Sequence, residues 1–359
     1  MSEKLFKQVE YFENRLNKNK RHLLKWARRN QVFCFRVYDK DIPEIPLCVD
    51  LYYEQGKQVY ESPYVVFALY KRPYEKSETE ERAWLATMKE VIVRVFETSD
   101  KNFFFKLRQK RKENAKEQSF DNVQKEKRII VSEGNARFYI NLNCFLDTGL
   151  FLDHRFLRRH IFNIAKGKRV LNLFCYTASF SVFAKLGEAE KVVSVDLSKN
   201  YLNWARDNFK LNGLDFDNAD FIAADVFTFL KAHLKKSRKF KNLNTKQNKL
   251  YDIIICDAPT FSNSKKTKTV LDINRDWTQL CELCLELLDD EGVFYFSCNS
   301  KKIKINFEIL DNFKQNFFEK NFQEIFIKDM SLTSLDEDFK NKKPHILLEF
   351  QKVQNKNLK

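Results

Sequence analysis

The stretch Lys168–Ser198, KRVLNLFCYTASFSVFAKLGEAEKVVSVDLS, decides the fold. Arg169–Phe174 is a short apolar run, as a strand buried on both faces must be. Ala178–Leu186 then spaces its apolar residues as a helix does, and Lys191–Val195 returns to an apolar strand that runs into Asp196. Strand, helix and strand within about thirty residues make a βαβ unit, and ligands of such sheets bind beyond the carboxyl ends of the strands.

Toward the C-terminus the alternation continues. Helix Lys199–Leu211, strand Asp220–Ala224, helix Val226–Leu234, strand Tyr251–Cys256, helix Asp272–Leu288 and strand Gly292–Ser297 follow one another. This pattern predicts an α/β domain with a parallel sheet covered by helices on both faces. Helix Asn306–Lys320 and strands Glu324–Ile327 and His345–Phe350 complete it, while the polar Lys235–Lys249 reads as a surface loop. Toward the N-terminus the pattern differs. Phe6–Arg29 reads as one or two basic amphipathic helices. Val32–Val37, Leu47–Tyr53 and Tyr64–Tyr70 read as strands, and Glu80–Thr98 as a helix. The charged Arg108–Lys127 suits a hairpin tip or surface arm, and Glu133-Gly134-Asn135 turns a hairpin between Arg128–Val131 and Arg137–Leu142. Residues 1–146 are therefore expected to form an α+β accessory domain, and residues 147–359 the α/β domain.

A length of 359 residues suits two domains, and 43% hydrophobic residues places the chain among globular proteins. The net charge of +15 favours a polyanionic partner, nucleic acid ahead of a membrane surface, although a Lys- and Asn-rich composition by itself accounts for part of it. The eight cysteines sit mostly inside apolar runs, as buried small hydrophobes of a reduced compartment do. Cys281 and Cys284 lie in a helical pattern with no second pair or nearby histidine, so no metal is expected. Met1–Glu10 lacks the apolar core of a signal peptide and no run reaches membrane-spanning length, so a cytoplasmic location is expected.

Four strand ends carry candidate chemistry. The first turn, Phe174-Cys175-Tyr176-Thr177-Ala178-Ser179, opens a helix whose free N–H groups can face an anionic group. It has no glycine, whereas a dinucleotide pyrophosphate needs glycines there for close backbone approach. S-adenosylmethionine has no pyrophosphate, and its methionine carboxylate suits the turn. Asp196, about 20 residues beyond that turn, is placed to accept hydrogen bonds from both ribose hydroxyls, or else to cap the next helix. Asp225, with Val226 or Phe227, is placed to hold the adenine, a role compatible with capping. Asp257-Ala258-Pro259-Thr260-Phe261 sets a carboxylate, a stiff exit and an aromatic where a flat base can enter.

At these residues the sequence resembles the class I methyltransferases, and more closely the 23S rRNA guanine-N7 methyltransferases. The likeness covers nearly the whole chain. It includes Lys25-Trp26-Ala27-Arg28-Arg29, Asp147-Thr148-Gly149-Leu150-Phe151-Leu152-Asp153-His154-Arg155, Leu171-Asn172-Leu173-Phe174 and Leu211-Asn212-Gly213-Leu214. Its most specific part is Pro259-Thr260-Phe261-Ser262-Asn263-Ser264-Lys265, followed by Asn274-Arg275-Asp276. The resemblance implies a Rossmann-like, mostly parallel seven-stranded sheet, S-adenosylmethionine as methyl donor, and a guanine of naked or partly assembled large-subunit rRNA as acceptor. Carried over by position, Asp196 and Leu197 would hold the ribose, Asp225 and Val226 the adenine, and Phe174, Tyr176, Thr177, Ala178 and Ser179 the methionine end. Asp153 and Arg155 would lie beside the cofactor. Asp257 would touch both cofactor and base, with Pro259, Thr260 and Phe261 facing the base. Two positions depart from the family pattern: Ala258 replaces a proline, and Ala178 stands where a glycine is usual.

Guanine N7 has a lone pair and no proton, so transfer needs in-line placement rather than a general base. Cytosine-C5 methylation is the nearest alternative. It needs a thiolate, and Cys298 resembles the nucleophile position of the related C5 enzymes. A third reading is a non-catalytic RNA-binding or ribosome-assembly protein.

Overall fold

A computed structural model describes residues 3–57, 60–70, 76–108, 126–145, 147–241, 251–262 and 270–353. It forms two compact units, Met1–Leu152 and Asp153–Lys359.

In the first unit, helix α1 (Glu3–Asn30) turns Phe12, Leu16, Leu23 and Ala27 inward. Strands β1 (Cys34–Asp39), β2 (Leu47–Tyr52) and β3 (Tyr64–Tyr70) follow, then helix α2 (Glu78–Phe96) and strand β4 (Phe103–Arg108). Ser77 caps α2 and Glu80 reaches back to the Ser77 N–H, which closes a reciprocal capping box. The four strands make one sheet in sequence order, antiparallel except that β4 runs parallel to β3. Strands β5 (Arg128–Glu133) and β6 (Ala136–Asn141) form the expected hairpin, with Gly134 in the left-handed region at φ 55°. Strand β4 has no counterpart in the sequence reading. Of the charged Arg108–Lys127 segment, residues 109–125 lie outside the described residues.

The second unit begins with helix α3 (Arg155–Ile164), strand β7 (Arg169–Leu173), helix α4 (Ser179–Leu186), strand β8 (Lys191–Asp196), helix α5 (Lys199–Leu211) and strand β9 (Phe221–Ala223). Helix α6 (Val226–Lys241), strand β10 (Tyr251–Ala258), the two-residue strands β11 (Phe261–Ser262) and β12 (Leu271–Asp272), helix α7 (Ile273–Leu287) and strand β13 (Leu288–Cys298) come next. Helix α8 (Phe307–Asn321) and strands β14 (Ile325–Asp329) and β15 (Ile346–Lys352) close the unit.

The main sheet has seven strands in the order β14-β15-β13-β10-β7-β8-β9. Strands β13, β10, β7, β8 and β9 are parallel, and β15 is antiparallel to both neighbours. Successive residues of each inner strand serve opposite cores. Leu171, Leu173, Ile254, Cys256, Phe294 and Phe296 pack on one face. Val170, Ile253, Ile255 and Tyr295 pack on the other. Burial on both sides explains the near-continuous apolar runs.

Two boundaries differ from the sequence reading. Helix α6 continues through Lys241, so the first part of the expected Lys235–Lys249 loop is helical, and residues 242–250 lie outside the described residues. The stretch has no glycine or proline to stop the helix, and lysine is a good helix former. Strand β10 runs two residues beyond Cys256, which puts Asp257 on a strand paired with Ser297 rather than in a loop. The order reverses between β7 and β10, and the first turn and Asp257 both lie at that switch point.

Candidate active site

The first turn is built from alternating left-handed residues, Phe174 at φ 53°, Tyr176 at 51° and Ala178 at 60°. Each costs free energy for a residue bearing a Cβ, and the neighbourhood must over-determine the turn. It does so with buried polar groups. Asn208, fully buried on α5, donates to the Thr177 carbonyl at 3.0 Å. Beneath the turn Asn172 donates to Ser181, whose hydroxyl meets that of Ser194, both at 2.8 Å. The Tyr176 ring stands edge-on to Tyr201, with centroids 4.6 Å apart. Ser179 opens α4, with Ala178 as its N-cap residue.

Asp196 ties this turn to the next strand end. Its two oxygens accept separate backbone N–H groups, Tyr176 at 3.0 Å and Ser198 at 2.8 Å. Burial pushes the Asp196 carboxyl up, against the pull of the Ser198, Tyr176 and Leu197 N–H groups. Helix α5 is capped by Ser198, so Asp196 is not its cap. Asp225 does cap α6. Its Oδ1 accepts from the Thr228 N–H at 2.9 Å and the Thr228 hydroxyl at 2.8 Å. The Val226 side chain is buried in the core, with Phe227 at its rim.

At the end of β10, Thr260 donates to Asn299 at 2.7 Å, and Phe261, 59% exposed, leads into the β11–β12 pair. Asn263, Ser264 and Lys265 lie outside the described residues. Asp257 is 21% exposed, and His154 Nε2 stands 3.3 Å from its Oδ1. Burial, and to a smaller extent Asp153, push the Asp257 carboxyl up, but His154 with a smaller pull from His345 outweighs them, and the carboxyl is held below its ordinary range. Asp153 pairs instead with His345 Nδ1 at 2.9 Å. Arg155 is buried and its guanidinium binds Asp336 and Asp338, at 3.0 and 3.1 Å. Cys298 is buried at the end of β13, and burial pushes its thiol up to about 11.

The structure thus gathers Phe174–Ser179 with Asp196, and Asp257 with a histidine that the strand-end motifs do not single out. His154 stands in the Asp153-His154-Arg155 run, and histidine is scarce here, with five in the chain. The pairings of Asn208 with Thr177 and of Asn172 with Ser181 and Ser194 are likewise not given by the motifs, since a polar residue in an apolar run gives no hint of its partner. Asp153, His154 and His345 bring one donor atom each within 4.8 Å of one another, a spacing compatible with a metal. The imidazole planes, however, lie 18° from parallel with centroids 4.2 Å apart. Ring-nitrogen lone pairs lie in the ring planes, so two stacked rings do not converge on one ion.

Residues 57–325 match the sequence profile of S-adenosylmethionine-dependent methyltransferases. A ribosomal RNA large subunit methyltransferase K of Neisseria meningitidis is 38% identical over 335 residues, covering 93% of this chain and 85% of the relative. A ribosomal RNA large subunit methyltransferase K/L of Psychromonas ingrahamii is 37% identical over 355 residues. That match covers 96% of this chain but 42% of the relative, so the chain spans less than half of that longer protein. Among solved structures, a protein described as a methyltransferase and complexed with SAH shares the fold, at TM-score 0.70 and 24% identity over 96% of this chain and 82% of the other.

Proposed function

On the premise that the chain belongs to the S-adenosylmethionine-dependent methyltransferase family, with its class I Rossmann-like fold, we propose that it transfers the methyl group to guanine N7 of 23S rRNA, in naked or partly assembled large subunits. S-adenosylmethionine is the methyl donor. The Asp196 oxygens accept the Tyr176 and Ser198 N–H groups separately, and the carboxylate turns its remaining acceptor capacity to the ribose hydroxyls. Asp225 Oδ2, not used in the cap, takes the adenine amine, and the Phe174–Ser179 turn faces the methionine end. Asp153 and Arg155 stand beside the cofactor in this reading, each held by protein partners.

One observation carries the choice of acceptor: the acid at the switch point has a buried histidine 3.3 Å away, which favours its ionised form. Such a carboxylate is a weak base, which suits an acceptor nitrogen with no proton to remove. It also offsets the positive charge that N7 alkylation leaves on the ring, while Phe261 offers a stacking face. The relatives named for large-subunit RNA supply the RNA class. Cytosine-C5 chemistry fits less well, because it needs a thiolate and the Cys298 thiol is buried and pushed up. A ribosomal RNA substrate puts the enzyme in the cytoplasm. Among the described residues no helix is long and apolar enough to cross a membrane.

Asp257→Ala should lower turnover by at least about a hundredfold while S-adenosylmethionine binding by titration calorimetry survives. Cys298→Ser should stay active. Loss of activity in Cys298→Ser with full activity in Asp257→Ala would reverse the choice, and absent cofactor binding in the unaltered protein would favour a non-catalytic scaffold. Mass spectrometry of 23S rRNA fragments from a deletion strain should show one guanine lacking its methyl group.

A further inference from the structure

Two of the five histidines come from opposite ends of the second unit and lie face to face at the end of the catalytic strand. The side chains of His154 and His345 are 4% and 2% exposed. Each ring gives one nitrogen to a different carboxylate, His154 Nε2 to Asp257 and His345 Nδ1 to Asp153. The other two ring nitrogens, His154 Nδ1 and His345 Nε2, are buried without a hydrogen-bond partner among the described residues. Phe180 of α4 meets the His154 ring edge-on at 5.5 Å, and the Ser297 hydroxyl of β13 approaches its Nε2 at 3.5 Å.

We propose that His154 is a positioning residue for methyl transfer, and that the His345–Asp153 pair stacked on it locks its ring, so that the Asp257 carboxylate stays ionised and aimed at the acceptor base. This rests on Asp257 facing the base, as proposed above. A carboxylate taken out of water favours its neutral form unless a countercharge stands close by. Once protonated, Asp257 would bring no charge to offset the alkylated ring. With Oδ1 pinned by His154, Oδ2 is the atom left for the acceptor. A flat ring clamped between His345 and Phe180 cannot turn without breaking both contacts, so it also fixes the direction of the carboxylate.

The surroundings of His154 pull its charge both ways. Burial opposes the imidazolium, Asp257 of β10 and Asp153 of its own segment favour it, and Arg158 of α3 opposes it. The net direction is upward from the ordinary value. His345 stacks from the segment before β15, while Ser297 and Phe180 are neutral.

Five variants of the full chain test the proposal. His154→Phe keeps a flat ring but removes the charge and the donor. It should lower kcat about a hundredfold, leave the RNA KM and the cofactor Kd unchanged, and move the acid limb of the kcat–pH profile upward by about one unit or more. His154→Gln, which can donate but carries no charge, should lie between this variant and the unaltered protein and serves if His154→Phe does not fold. His345→Phe, which keeps the stack but breaks the tie to Asp153, should lower kcat by about tenfold with KM unchanged. The imidazole resonances of His154 should titrate above the ordinary range in the unaltered protein and fall in Asp257→Asn, whatever the activity. Unchanged kcat and acid limb in the His154 variants, beside an inactive Asp257→Ala, would overturn the positioning role alone. An active Asp257→Ala would overturn the reading on which the proposal rests, and the titration would still report whether the two groups are coupled.

Discussion

Asp196, proposed to hold the ribose, works against the stability of the fold that carries it. Burial raises its carboxyl above the ordinary 3.8. A group raised in the folded state contributes stability that is full below its unfolded value and lost as pH rises through the folded value. At neutral pH the ionised Asp196 is therefore destabilising, and the ionised form is the one that can accept from two hydroxyls while also accepting two N–H groups. Cofactor affinity should thus weaken on acidification with a midpoint above 3.8, measurable by calorimetry across pH. A flat profile down to about pH 4 would remove Asp196 from the ribose. Ala178 is a smaller case of the same kind. Its φ of 60° explains why a glycine is expected there, since that conformation costs an alanine about 1–2 kcal/mol. Both residues were legible in the sequence, because strand ends and turns are local. His154 and His345 were not legible as a pair, because only the finished sheet brings the start of the unit against its last strand.

Elements were legible in proportion to how local their causes are. The inner strands announce themselves because both faces are buried, and α2, α5, α7 and α8 begin at Ser77, Ser198, Asp272 and Asn306, whose side chains cap them. Strand β4 escaped because its pairing with β3 is parallel and crosses over α2, and its phenylalanines show no alternation. The contact between α3 and α4 also has a hidden cause. Gly187, just past α4, has an ordinary φ of −81°, so its backbone does not require glycine. A Cβ there would strike the backbone carbonyl of Phe162 on α3, an atom that cannot swing away. Gly187→Ala should therefore destabilise the fold by about 1–3 kcal/mol, read as a lower denaturation midpoint with unchanged slope. An unshifted midpoint would mean that the two helices have room to part.

The charge of the whole chain is unevenly distributed. Helix α1 mixes signs in its first half, with Glu3, Glu10 and Glu13 among its lysines. From Arg15 to Arg29 it carries only basic charges, and Lys18, Arg21, Lys25 and Arg29 are exposed. The acidic half is partly used inside the unit, where Arg94 of α2 binds Glu13 at 2.8 Å. Asn17 is exposed among these basic residues, and Leu24 is half-buried against the core of the unit. A bias of composition would scatter lysines and arginines evenly, whereas one acid-free half-helix is what binding to a phosphate backbone requires. On this proposal the first unit contributes RNA affinity while the chemistry stays at the proposed site in the second. Replacing Lys18, Arg21, Lys25 and Arg29 by glutamine should weaken binding to a 23S rRNA fragment. It should also flatten the plot of log affinity against log salt, by about 0.7–0.9 for every phosphate that the helix no longer neutralises. Cofactor affinity should be untouched, since no residue of the proposed cofactor site belongs to the first unit. An unchanged salt slope would place the RNA-binding surface elsewhere and leave the basic half of α1 as solvated surface.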